Sequence, residues 1–361
     1  MGRARLTWLL CAVFVHGFLS AQEANSGLDL RATLSEQFAA SNVYEEAPRS
    51  GEPVGAGFRS VFYPTWKLSK NWGVTGAWQL YSRPYFFQDF SDSGEGVNGN
   101  ILQASLNYSR VSEAGSFMIR AGQLSTAFGS FLLRYDDADN ALVDLPIQYG
   151  YYDSPVSTLS VAGAQVDATR GKWDGRVQFA NSSPANPRSL FAHDQYGNWA
   201  GGAGYTIRQG FRVGVSAYRG PYLNRGDEYF PVGTASPSSL PAHALGVDAS
   251  WVHGHWTAQG ELQQFVMPLT AAPTIRQLAG YGELKKVLNP RWYIASRVGI
   301  SSANAYGNVE CYEAAAGFRP NRLQLIKIEY EREQYSVGPY HNENTLAIQF
   351  VTSLHTAFAK N

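Results

Sequence analysis

Trp72-Gly-Val-Thr-Gly-Ala-Trp-Gln-Leu80 carries two kinds of residue in alternation. One parity holds Trp72, Val74, Gly76, Trp78 and Leu80. The other holds Thr75 and Gln79 and runs on to Tyr81 and Arg83. Successive side chains of a β-strand point to opposite sides, so one face of this segment is oily and the other polar. A soluble sandwich shows that pattern with its oily faces packed together. A barrel in lipid inverts it, with the apolar face outside and a wet lumen inside.

The rest of the chain repeats the beat. Alternating segments are predicted at 28–37, 55–66, 72–83, 101–111, 115–123, 158–168, 172–181, 198–208, 211–219, 243–252, 255–266, 277–287, 291–301, 309–318, 322–332 and 344–358. In the first, Leu28, Leu30, Ala32 and Leu34 oppose Asp29, Arg31, Thr33 and Ser35. In the fourth, Leu102, Ala104, Leu106 and Tyr108 oppose Gln103, Ser105, Asn107 and Ser109. The twelfth shows no clear parity. Connections alternate as well. Short turns are predicted at 67–71, 111–114, 169–171, 209–210, 253–254, 287–290 and 319–321. Long loops fall between them, at 38–54, 84–100, 124–157, 182–197, 220–242, 267–276, 302–308 and 333–343. Outer-membrane barrels have short turns on the periplasmic side and longer loops outside. The predicted class is all-β: one transmembrane antiparallel β-barrel of about sixteen strands over residues 22–361, with both termini on the short-turn side.

Residues 1–21 read as a secretory signal peptide. Met1-Gly-Arg-Ala-Arg5 is basic, Leu6 to Phe18 is apolar, and Leu19-Ser-Ala21 is a small-residue cleavage site. The apolar run is too short to span a bilayer, and none of about 18 residues follows it. Leu9-Leu10-Cys11 makes a poor lipoprotein signal, because too little apolar chain precedes the cysteine. Past Ala21 only Cys311 remains of the 2 cysteines, so no internal disulfide can form. The 21 Tyr, 19 Phe and 9 Trp suit aromatic girdles at two interfaces. The 3 Met and 36 Gly suit strands better than a helical bundle. Mean hydropathy is negative, as expected where each lipid-facing residue is diluted by a lumen-facing one. Without Arg3 and Arg5 the 29 basic residues fall to 27 against 29 acidic ones. A net charge near −2 excludes a nucleic-acid binder held by bulk positive charge.

Arg120-Ala-Gly-Gln-Leu-Ser-Thr-Ala-Phe-Gly129 resembles the R-x-G-x-x-x-x-P-F-G stretch before the third loop of phosphate-selective-type (O/P) porins and related trimeric porins, with Ala127 where the family usually has proline. Gly246-Val-Asp-Ala-Ser-Trp251 with Gly260-Glu261, and Leu325-Ile-Lys-Ile-Glu-Tyr330, resemble paired strands of the family's second half. The last strand, ending in Phe358, resembles the signal read by the barrel-assembly machinery, although Ala-Lys-Asn361 follows it. No lysine ladder or arginine-rich loop of a phosphate channel is evident. The resemblance implies a homotrimer in the outer membrane of a Gram-negative-type bacterium, contacting outer-membrane lipid. Each chain would form a passive, water-filled channel for small hydrophilic solutes or ions, with no cofactor. Its third loop would fold into the pore.

That loop, 124–157, holds Asp136, Asp137, Asp139, Asp144 and Asp153 against Arg134. Arg31, Arg83, Arg120, Arg176, Glu261, Arg297 and Lys327 have the parity of wall residues facing the lumen. An acidic loop opposite basic wall residues would set a transverse field across a constriction, and clustered charge sets ion preference. The bland alternative is a set of solvated loop charges and ordinary lumen salt bridges. Asp136, Asp137 and Asp139 could also hold Ca²⁺ through hard oxygen ligands, but their spacing is not that of an EF-hand. His253-Gly-His255 falls at a predicted turn. Ser353 and His355 share one face of the last strand, and their spacing does not by itself bring them within hydrogen-bond reach. With no nucleophile elbow, P-loop or dinucleotide motif, an outer-membrane lipase is the weaker alternative to a channel. A loop-plugged barrel serving as an adhesin or structural protein is the stronger one.

Overall fold

The computed structural model describes residues 27–42, 54–83, 85, 96–131, 135–149, 160–181, 197–221, 240–269, 273–305, 307–337 and 342–359. The proposed leader lies outside them. Sixteen strands follow one another: β1 Gly27–Ser41, β2 Val54–Lys67, β3 Trp72–Arg83, β4 Gly96–Ser112, β5 Gly115–Leu124, β6 Val161–Arg170, β7 Trp173–Asn181 and β8 Gly197–Arg208. The second half comprises β9 Phe211–Gly220, β10 Ala242–His253, β11 Trp256–Met267, β12 Ile275–Asn289, β13 Trp292–Ala303, β14 Gly307–Phe318, β15 Gln324–Tyr335 and β16 Asn342–Ala359. Each strand pairs antiparallel with its sequence neighbours. β1 pairs with β16 from Gly27↔Ala359 to Ser41↔Thr345, which closes the barrel. Closure leaves no unpaired strand edge.

The two faces separate as the alternation requires. Outward positions such as Trp72, Val74 and Trp78 on β3, Val177 and Phe179 on β7, Leu245 and Val247 on β10 and Ile294, Val298 and Ile300 on β13 are exposed. Inward positions such as Gln37, Gln79, Asn107, Gln178, Gln263 and Gln349 are buried. Aromatic rings gather near the short turns on the outer face: Trp72 against Tyr108 at 5.2 Å, Trp173 against Tyr205 at 4.7 Å, and Trp292 against Phe318 at 4.5 Å between centroids.

Two strands depart from a simple reading. On β4 the register steps from Ala77↔Gln103 to Trp78↔Ile101, so Leu102 has no partner opposite it. This bulge flips the parity: Leu102 turns inward onto Val61, Ala77 and Tyr63, and Ile101 takes the outer face. The expected outward Leu102 is therefore wrong. On β12 the inward face carries apolar Ile275, Ala279 and Tyr281, while the outward face carries Arg276, Gly280, Gly282 and Lys286. Each face mixes polar and apolar residues, which is why the alternation was illegible.

The His253–His255 pair sits on the turn from β10 to β11. Gly254 between them has φ +58°, a left-handed conformation that glycine adopts without strain. Both histidines are exposed there.

Candidate functional site

The described residues of the connection from β5 to β6 bond inward-facing side chains of the strands. Residues 125–131 and 135–149 of this connection are bonded in turn to β4, β7, β9 and β11, then to β1 and β2, then to β13 and β15. At its start, Gln178 of β7 accepts from the Ala127 N–H at 3.0 Å and donates to the Ser125 carbonyl at 2.7 Å. A proline at 127 could not donate the first of these bonds. Arg176 donates to the carbonyls of Ala127 and Gly129. Ser216 of β9 accepts from the Gly129 N–H at 3.2 Å. Glu261 of β11 accepts from the Ser130 N–H at 2.8 Å and from the hydroxyls of Ser130 and Tyr149. Gly129 is required at this crossing. Its φ is +76°, and an added Cβ would lie 2.2 Å from the Tyr149 hydroxyl.

The middle of the connection meets β1 and β2. Asp136 accepts from Thr33 at 3.0 Å and from Tyr63. Asp137 is buried against Arg59 at 3.3 Å and accepts from Ser35 at 2.8 Å, Tyr85 at 2.9 Å and Tyr135 at 2.7 Å. Burial alone would push the Asp137 carboxyl up; Arg59, Lys327 and the hydroxyls of Tyr135 and Ser35 outweigh it and hold it below the ordinary carboxylate range. Asp139, by contrast, is exposed, with Lys285, Arg31 and Arg319 as the cations that act on it.

The far end meets β13 and β15. Lys327 donates to the carbonyls of Asp137 at 2.9 Å, Asn140 at 3.3 Å and Leu142 at 2.8 Å. Arg297 donates to the Asp144 carbonyl at 3.2 Å and to Asn140, while pairing with Glu283 at 3.2 Å and Glu313 at 2.7 Å. Glu329 accepts from the N–H groups of Val143 and Asp144. Burial and the neighbouring Glu329 push the Asp144 carboxyl up to about 8. Apolar side chains hold the segment as well. Phe128 packs on Phe265 and Met267, Leu142 on Tyr293, Leu325 and Val351, and Val143 on Ala39 and Ala347. Each such burial is worth about 1.5–3 kcal/mol.

The remaining inner wall carries a chain of opposite charges across β5 to β10. Arg120 pairs with Asp167 at 2.7 Å, and Arg212 with both Asp174 and Asp248 at 2.7 Å. Arg120, Asp167, Asp174 and Arg212 keep 17 to 32 % of their side-chain surface exposed.

Of the expected wall residues, Arg31, Arg120, Arg176, Glu261, Arg297 and Lys327 all lie on inward parity. Arg176, Glu261, Arg297 and Lys327 bind the crossing segment rather than open space. Arg83 belongs to β3, but its side chain lies outside the described residues, as do Arg134 and Asp153. Asp136 and Asp137 face separate hydroxyl and guanidinium partners. Among the described residues, the acidic groups close enough to share one ion are on β14 and β15 instead. His355 of β16 bonds Asp29 of β1 at 2.8 Å, and both are well exposed. Arg59, Arg212, Glu283 and Glu313 escaped the sequence reading. Inward parity was their only signal, and it does not distinguish a wall charge from an anchor.

No family model matches the chain. No curated protein matches it either. Solved structures do match in fold. An in-vitro folded OmpT, an outer membrane protein of Vibrio cholerae in its trimer form, aligns at TM-score 0.58 and 10% identity, over 91% of this chain and 99% of that one. The anion-selective porin from Comamonas acidovorans aligns at 0.58 and 10%, over 91% and 100%. The outer membrane channel DcaP of Acinetobacter baumannii aligns at 0.61 and 8%, over 91% and 98%. The chain therefore has the closed sixteen-strand barrel fold that outer-membrane porins share.

Proposed function

We propose that this protein is an outer-membrane porin: a passive, water-filled channel for small hydrophilic solutes or ions. The observation that carries this is the charge chain Arg120–Asp167 and Asp174–Arg212–Asp248 on the inner wall, partly exposed at all but the buried Asp248. Charged side chains keep that much water contact inside a closed barrel only where the lumen is wet. Barrels of 16–18 strands are wide enough to leave an aqueous channel. The apolar, aromatic-banded exterior suits a bilayer, and the leader ending at Ala21 would send the chain to the secretory route.

The segment 125–149 would narrow the lumen, and Asp139, exposed among its described carboxylates, would act on passing ions. Asp139→Asn should raise relative anion permeability, read as a shifted reversal potential under a salt gradient. The assembly would be a homotrimer, in which one copy covers Glu36 of another. Glu36 is exposed on the outer face of β1 between Phe58 and Phe350 of the flanking strands, and a carboxylate there is destabilising against lipid.

A plugged barrel is the second reading, favoured by the crossing segment being bonded to eight strands. Liposome swelling separates the two. Vesicles holding the refolded protein should swell in small sugars, faster for smaller ones. Vesicles no leakier than protein-free controls would support the plug.

A further inference from the structure

We propose that the inward carboxylates of β14 and β15, Glu313, Glu329 and Glu331, bind a hard divalent cation of the calcium type beside the crossing segment. The site is independent of whether the barrel conducts. The three lie on adjoining strands, with Glu313 directly opposite Glu331 in the ladder. They are 4 %, 1 % and 4 % exposed, and each offers an oxygen within 4.8 Å of the others. Two oxygens each about 2.3–2.6 Å from one Ca²⁺ can be at most about 4.6–5.2 Å apart, so this spacing is compatible with a shared ion. Like charges directly opposite each other in a sheet repel, and burial removes the water that would screen them.

Among the described residues nothing neutralises them in full. Arg297 is shared between Glu283 and Glu313. The Lys327 ammonium is taken by three backbone carbonyls. Among the described residues no cation bonds Glu331 at all. Independent of the charge count, three buried oxygens in this spot have no hydrogen-bond partner among the described residues: Oε2 of Glu313, Oε2 of Glu331, and the hydroxyl of Thr345, which stands opposite Glu331 on β16. Buried polar atoms are rarely left unpaired, and a cation would satisfy all three at once. Glu329 already accepts two N–H groups from the segment, but a carboxylate has about four lone-pair sites and retains capacity for a metal. An ion there would tie residues 143–144 to the wall through Glu329.

The ligand set favours a hard ion. Cys311 with Glu331 and Glu333 forms a neighbouring group of the same size, which a softer ion would prefer. Calorimetric titration of the chelator-treated, detergent-refolded full chain with CaCl₂ distinguishes them. About one Ca²⁺ per chain is expected, with a raised melting temperature. Glu331→Gln should weaken binding at least as much as the roughly 10- to 100-fold that outer-shell changes cost. Asp174→Asn, on the far wall, and Cys311→Ala should bind as the wild type does. Thr345→Val, which removes only a hydroxyl, is the second variant should Glu331→Gln fail to refold, and it too should weaken binding. No stoichiometric uptake by the wild type, or uptake unchanged in the folded variants, overturns the site. So does tighter binding of Cd²⁺ that is lost in Cys311→Ala.

Discussion

Asp137 shows how one residue's role depends on what it touches. By sequence it is one of five acids in a loop, and a charge set to act on passing ions was the natural expectation. In the structure it is an anchor: it neutralises the buried Arg59 and accepts three hydroxyls. Removing one partner of a buried pair strands the other charge, at about 3–5 kcal/mol. Asp137→Asn should therefore lower the urea midpoint of the refolded barrel, with conductance becoming noisier as the segment loosens. The effect carries a pH signature. Because the Asp137 carboxyl is held below its ordinary value, its contribution is present above the unfolded pKa of about 3.9 and is lost as pH falls through the lower folded value. The midpoint difference between wild type and Asp137→Asn should hold from neutrality to about pH 4 and close only below that. A difference that closes well above pH 4 would mean that Arg59 does not hold this carboxylate charged. The roles of Asp136, Asp137 and Asp139 could not be separated in sequence, because their partners Thr33, Tyr63, Ser35, Arg59 and Tyr85 are distant along the chain.

Among elements, β3 was readable because its alternation is uninterrupted and its outer residues are large. Val74 faces outward, and a cation at mid-depth on that face costs about 2–4 kcal/mol. Val74→Arg should fail to insert, whereas Thr75→Lys, half-buried on the inner face, should assemble; heat-modifiable gel migration reads both. Equal assembly of the two would reverse the inside–outside assignment. Inward parity alone does not guarantee tolerance. Gln79 faces in, but it is 4 % exposed and accepts from Arg59 Nε at 2.9 Å. Gln79→Arg would set two guanidiniums side by side and should be poorly tolerated. The sequence pattern failed at β4, where the bulge at Leu102 reverses parity mid-strand, and at β12, where glycines take the lipid face. A period-2 pattern carries no warning of an inserted residue.

For the whole molecule, strand number and order were legible because the alternation of short and long connections is independent of any one strand. All sixteen predicted segments overlap the observed strands, and β1 closes on β16 as an even number demands. The partners of the β5–β6 connection were not legible, since nothing in 124–157 alone says which strands it will meet. Orientation is open to direct test. A membrane-impermeant maleimide applied to whole cells should label Ser236→Cys in the β9–β10 connection and miss Lys70→Cys in the β2–β3 turn; the opposite pattern would invert the barrel. The central claim is that water passes through the lumen alongside the crossing segment. Single-channel recording of the purified wild-type protein in planar bilayers tests it most directly. Stepwise conductance increments that scale with bulk salt are the expected result. A correctly folded, inserted barrel that passes no current across the accessible voltages would contradict the claim and identify the 125–149 segment as a plug.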